Sequence, residues 1–471
     1  MTSEQTSHKS GVLHLFSGSI AGRGLTFLLN TFISRLLGPE SLGLFTLILT
    51  TSQTFEITIR GGIDYGLQCE LTDHSKKLSD HRLRAIATDA MRWISTATVV
   101  ISICLLLWIG GLQGLFPISI PMNRDLAVGL LLLIACSESL GGLPWDLLLI
   151  KGRTKLVALK QGLFAPVKLA AAVIGSYILG IEGALLGYAI ASIGQVLWVR
   201  ERISPYLLKP GEKRNDWSNT WQLIKTGLPL YATNSIAAIV FLPLLAGVAS
   251  AEGISDVGYL RIGQLVVQLF TLVPGAIAPI LFLRLREENS HRDRTQQAQK
   301  SLQFVWTIGL SFLLGYCLID KQIIHWLFGE QFLPSLQATR VLVLCSILDS
   351  CSQILYTPLL ASQQTRLFAT VQNGAAVLAG IAGLSLIPQY GLTGFLFAKL
   401  IYAWIPITSF SVEALRNLKQ WRFVVSLYFA SISFLPICWS ANWDSWLHQL
   451  SLLIIALILT TRCWSLLKMM R

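Results

Sequence analysis

Apolar stretches of about 20 residues recur from one end of this chain to the other, each long enough to cross a hydrocarbon core of roughly 30 Å as a helix. Backbone in lipid must satisfy its own hydrogen bonds, which leaves helices or a closed barrel, and continuous apolar runs lack the alternation of barrel strands. The fold class is therefore all-α and polytopic. Composition agrees: 53% of residues are hydrophobic and 13% charged, against roughly 25% charged in soluble domains.

The runs predict about fourteen spans, near 11–36, 42–67, 93–116, 126–150, 156–179, 181–199, 219–249, 256–284, 301–319, 337–362, 366–387, 390–413, 421–440 and 446–468. A formal charge of +12 invites a nucleic-acid reading. The positions argue otherwise. Lys76, Lys77, Arg82, Arg84, Lys151, Arg153, Arg200, Arg202, Lys213, Arg214, Arg292 and Arg294 all fall on one side of this frame, whereas the opposite connections carry Arg124 and Lys321. Such a bias sets orientation in short loops, with the basic side cytoplasmic. The chain is expected in a bacterial inner membrane with both termini cytoplasmic, with membrane lipids as surroundings and no nucleic-acid partner.

The N-terminal segment shows no compact apolar core ahead of a small-residue cleavage site, so no removable signal peptide is expected. Eight cysteines fall in or at the ends of apolar runs without CxxC spacing. They read as packing residues, not metal ligands or disulfides. No nucleophile and base pattern, phosphate-binding loop or nucleotide fingerprint appears, so neither enzymatic activity nor a cofactor or metal is expected.

An ungapped shift of 211 residues matches the chain to itself. It pairs Leu148 with Leu359, Thr154 with Thr365, Gln161 with Gln372, Gly180 with Gly391 and Gly183 with Gly394. The same shift sets the embedded acid Glu138 against Asp349, each followed by serine. The halves thus repeat in the same sense, as in transporters built from two parallel bundles. The expected organisation is a first bundle over 1–205, a second over 206–415 and two extra helices over 416–471.

Basic residues inside predicted spans include Arg23, Arg35, Arg60, Lys160, Lys168, Lys225, Arg261, Arg340 and Lys399. A charge at the centre of a span costs about 2.5–3.5 kcal/mol on insertion scales and faces a cavity or a partner. Arg23, Lys168 and Lys399 sit deepest; Arg35, Lys225, Arg261 and Arg340 lie within reach of an interface. One reading is a cationic cavity that attracts a pyrophosphate, using bidentate guanidinium bonds. The plainer reading pairs the charges internally, Glu56 with Arg60 four residues on and Glu138 with Lys168. Glu138 and Asp349 are candidates for ion coupling or for structural hydrogen bonds between helices.

Three segments resemble a known family. FISRLLGPESLGLFTLI at 32–48 is similar to the first external turn of polysaccharide-biosynthesis flippases of the Wzx type, in the multidrug/oligosaccharidyl-lipid/polysaccharide exporter superfamily. DVGYLRIGQL with the helix ending in PILFLRL, and IHWLFGEQF, resemble parts of that family's second bundle. The resemblance implies two six-helix bundles around a cavity open to one side at a time, followed by two trailing helices. It implies transport of undecaprenyl-pyrophosphate-linked oligosaccharide, as for O-antigen or lipopolysaccharide, beside glycosyltransferases and a polysaccharide polymerase as partners. Where the family uses basic residues on helices 1, 2 and 8, this chain has Arg23, Arg60 and Arg261.

Two rival readings have distinct signatures. A multidrug or cation exporter of the same fold would present an acidic cavity, while a membrane-embedded polymerase or ligase would carry a long external loop. A scaffold without transport would have little use for embedded charge.

Overall fold

The computed structural model describes residues 3–64, 66–67, 80–107, 122–151, 153–208, 218–287, 291–361 and 365–418. The spans predicted at 421–440 and 446–468 lie outside the described residues. The helices are α1 (Ser3–Arg60), α2 (Asp80–Leu107), α3 (Arg124–Ile150), α4 (Thr154–Leu159), α5 (Ala165–Ile203), α6 (Ser218–Ala251), α7 (Ile254–Glu287), α8 (His291–Leu327), α9 (Ser335–Ala361) and α10 (Thr365–Leu418). No strand occurs among the described residues. Eight described helical stretches are long and apolar enough to cross a bilayer, so the protein is a multi-pass, all-α membrane protein.

Three of those stretches, Gly22–Arg60, Lys155–Tyr206 and Arg366–Phe410, far exceed one bilayer thickness. Each is broken by a glycine in a conformation hostile to other residues: Gly38 (φ 75°, ψ 177°), Gly180 (φ 58°, ψ −136°) and Gly391 (φ 48°, ψ −125°). The first break is the expected one, with Pro39 opening the next helix on a preset φ. At Gly180 the chain doubles back. A methyl group on Gly183 would overlap the carbonyl oxygen of Gly175, and one on Gly187 would overlap that of Ala171. Residues eight and sixteen apart along one straight helix would be roughly 12 and 24 Å apart. The arms are therefore an antiparallel hairpin with backbones in direct contact, the arrangement that small residues permit in lipid.

The same device recurs 211 residues later, where a methyl on Gly394 would lie 2.6 Å from the carbonyl oxygen of Leu386. Gly180 and Gly391 share their backbone conformation to within about 11°, with φ 58° and 48°, ψ −136° and −125°. The sequence repeat is thus a repeat of hairpin geometry.

By packing, the chain falls into two compact units, Met1–Val257 and Gly258–Arg471. In unit 1, Ile59, Ile63 and Leu67 pack with Ile86, Ala90 and Ile94 of α2, Leu143 and Leu147 of α3 and Leu223 of α6. Helix α6, the expected start of the second bundle at 206, is therefore packed within unit 1. The reason is a close backbone approach. A methyl on Gly227 would overlap the Gly62 oxygen, and one on Gly66 would overlap the Leu223 oxygen. In unit 2, two of the motif segments meet: Tyr259 of α7 lies edge-on to Phe332, centroids 6.4 Å apart, beyond the Gly329 turn (φ 103°).

Several helix ends differ from the apolar spans, among them the start of α2 at Asp80 against the predicted 93 and both ends of α8. Helix α8 starts at His291 and runs to Leu327, ten residues before and eight after the predicted 301–319. Its polar first turns carry no apolar run to mark them, and Asp320, expected in a loop, stays helical because Arg340 neutralises it. Arg340 Nε lies 2.5 Å from Asp320 Oδ2, both side chains only 4% exposed. Arg340 is therefore not an interfacial snorkel.

Candidate functional site

Unit 1 gathers its embedded charges around α1, α3 and the α5 hairpin. Lys168, on the first arm, places Nζ 2.5 Å from Glu138 Oε1 of α3. Ser192 of the second arm donates to the same oxygen at 3.0 Å. The Lys168 ammonium also stands 5.7 Å from the ring centroid of Tyr188, whose ring meets Phe45 of the LGLF segment edge-on at 6.2 Å. The hairpin thus brings together an acid, an amine, a hydroxyl and an aromatic face. The internal pairing of Glu138 with Lys168 is the one anticipated from sequence.

Arg60 occupies a second, denser cluster. Its guanidinium reaches Glu56 at 3.6 Å, Asp64 at 3.2 Å and Asp146 of α3 at 3.5 Å. It lies across the backbone of α3 at Gly142, where a methyl group would collide with Nη2. Lys160 joins this field, acting electrostatically on Glu56 and Asp146. It sits in a π-helical turn, Lys160–Phe164, that joins α4 to α5 just ahead of Pro166. Such turns fit one extra residue into a helix and are frequent at functional positions.

Arg60 is therefore bound by carboxylates, and the unit 1 network is of mixed charge. Glu56, Asp64, Glu138 and Asp146 stand against Arg60, Lys160 and Lys168, one more acid than base. Arg23, by contrast, is exposed on α1. Sequence reasoning passed over Asp64 and Asp146, although the spacing of Arg60 to Asp64 repeats the i, i+4 spacing that singled out Glu56.

In unit 2, Arg261 is half-buried and its Nη1 lies 3.4 Å from the Gln264 side-chain oxygen. Asp349 on α9 is exposed, and Lys399 of α10 is its main opposite charge. The Lys399 ammonium stands 5.9 Å from the ring centroid of Phe395 and 5.7 Å from that of Tyr402. Shifting by 211 residues maps Glu138 to Asp349 and Tyr188 to Lys399. Each unit thus sets a carboxylate, at the corresponding place, under the influence of an amine that comes from a different arm of the hairpin. No group of three or more His, Cys, Asp and Glu side chains among the described residues is placed to hold a metal.

No protein-family model and no curated protein matches this chain. Solved structures do. The lipid II flippase MurJ, in an inward closed conformation, is similar with a TM-score of 0.71 and 14% identity, covering 97% of this chain and all of that one. The chain has the MurJ and MATE fold. An inward-facing multidrug resistance MATE transporter of the MOP superfamily matches at TM-score 0.63 and 13% identity, over 87% of this chain and 96% of that one. The MATE multidrug transporter DinF-BH matches at 0.60 and 15%, over 89% and 96%. A MurJ and MATE fold agrees with the doubled hairpin, the repeat at 211 residues and the all-helical composition described above.

Proposed function

We propose that the chain is a flippase moving a prenyl-pyrophosphate-linked oligosaccharide from the cytoplasmic to the outer leaflet by alternating access. The observation carrying this reading is the likeness to a lipid II flippase over 97% of the chain, joined to the flippase-like segment at 32–48. Arg23 in the first unit and Arg261 in the second are each candidates for a phosphate, since a guanidinium group offers paired donors to phosphate oxygens. Arg60 stands among carboxylates, while Lys168 and Lys399 stand against the ion-coupling candidates Glu138 and Asp349. In this reading the bundles run over 1–205 and 206–415, with α6 docked back onto α1 and α2, and 416–471 adds two helices. The chain sits in the bacterial inner membrane with both termini cytoplasmic, supplied by glycosyltransferases and feeding a polymerase.

The decisive experiment is reconstitution into liposomes with labelled lipid-linked oligosaccharide, scoring head groups as protected or exposed with time. Movement above protein-free vesicles supports the flippase; its absence with intact, folded protein overturns it. One observation favours a second reading, a cation exporter: the acid excess around Arg60 and Lys168. Uptake of a fluorescent organic cation into the same vesicles, without lipid movement, would select it.

A further inference from the structure

Helix α9 is buried almost throughout. Between Ala338 and Thr357 the exposed side chains are Asp349 and Gln353, both polar. They are four residues apart and so share one face, and Tyr356 continues that face one turn on. A carboxylate facing hydrocarbon is costly, so this exposure marks a water-reached recess within unit 2. The Gln353 side chain acts on the Tyr356 phenol, and the Asp349 charge acts on Tyr356, Tyr402 and Lys399. Behind the polar row stands an aromatic stack: Tyr356 lies 4.4 Å from Phe368 and 5.7 Å from Phe410 between ring centroids.

A carboxylate, an amide, a phenol and an ammonium in one recess can both accept from and donate to hydroxyl groups. The partly exposed rings of Tyr356 and Tyr402 beside them suit a flat array of C–H bonds. Rings that carry hydroxyls on their rim and C–H bonds on their faces are sugars. We propose that the Asp349–Gln353–Tyr356 face, with Lys399 and Tyr402, binds one sugar residue of the cargo. This rests on the flippase reading for the lipid carrier, although the recess itself is defined by unit 2 alone.

The test uses the full-length protein in nanodiscs with three probes: prenyl pyrophosphate carrying a neutral disaccharide, sugar-free prenyl pyrophosphate, and the free disaccharide. The wild type is expected to prefer the glycosylated carrier. In Gln353→Ala and Tyr356→Leu the affinity ratio of glycosylated to sugar-free carrier should fall about tenfold, the loss of one well-placed polar contact. Gln353→Glu, nearly isosteric, serves if the alanine variant fails to fold. The free disaccharide separates the two readings. If neither lipid is bound in nanodiscs or moved in the liposome assay, while the disaccharide binds and the variants weaken it, the flippase reading fails and the sugar recess stands, with a soluble saccharide as ligand. If variants melting like the wild type keep both the ratio and the disaccharide affinity, the recess proposal is overturned.

Discussion

Lys168 Nζ lies 2.5 Å from Glu138 Oε1, joining the α5 hairpin to α3 across 30 residues of sequence. Removing one member strands the other charge in a low-dielectric site, and such breaks cost about 3 kcal/mol or more. Lys168→Met should therefore lower the melting temperature in detergent sharply. The double variant Lys168→Met with Glu138→Gln should recover most of the loss.

Arg340 and Asp320 are more deeply buried, each 4% exposed. Arg340→Ala should destabilise by about 3–5 kcal/mol, and Asp320→Asn should do less because its amide keeps an acceptor. Thermal unfolding of purified variants checks the order. Equal, small effects would show that the pair contributes little.

The glycines predict a ranking. At Gly142 an added methyl meets the Arg60 guanidinium, which must leave its carboxylates, so Gly142→Ala should leave the fold standing but impair transport. At Gly183 the obstacle is the Gly175 carbonyl, and backbone cannot swing aside. Gly183→Ala should therefore fold poorly. Gly180→Ala and Gly391→Ala force alanine into a backbone region reserved for glycine, at about 1–3 kcal/mol each. Expression level and melting temperature read out the folding of all four, and the liposome assay reads the transport of Gly142→Ala.

For the proposed transport, Arg23→Ala or Arg261→Ala should abolish movement of lipid-linked oligosaccharide while insertion is retained. Arg23→Lys should keep part of the rate, because an ammonium holds phosphate without the bidentate fork. Wild-type rates in both alanine variants would remove these residues from the mechanism.

Much of the fold was legible because lipid imposes a simple rule on sequence, and because Gly38, Gly180 and Gly391 punctuate runs too long to stay straight. The hairpin repeat could be read from paired identities alone. The polar opening of α8 could not, since helix over 291–300 is not announced by apolarity. Docking of α6 on α1 was signalled, in retrospect, by the glycine spacing of Gly62 and Gly66, a small-residue pattern that lets helices touch. The pairing of Glu138 with Lys168 was foreseeable from charge and proximity in the repeat unit. That Arg60 reaches Asp146 was not, because 86 residues separate them and the backbone of α3 at Gly142 must come close enough for the guanidinium to lie across it. Gln353 carried no signal either: an amide in an apolar run looks the same whether it faces a neighbouring helix or water.

The π-helical turn at Lys160–Phe164 holds one residue more than an ordinary helical turn would need. Deleting one residue there would let the segment relax into regular helix while Lys168 keeps its alignment with Glu138 and only Lys160 and its upstream neighbours rotate. The loss of a single position at this turn would thus retune the Arg60 cluster without disturbing the hairpin beyond it.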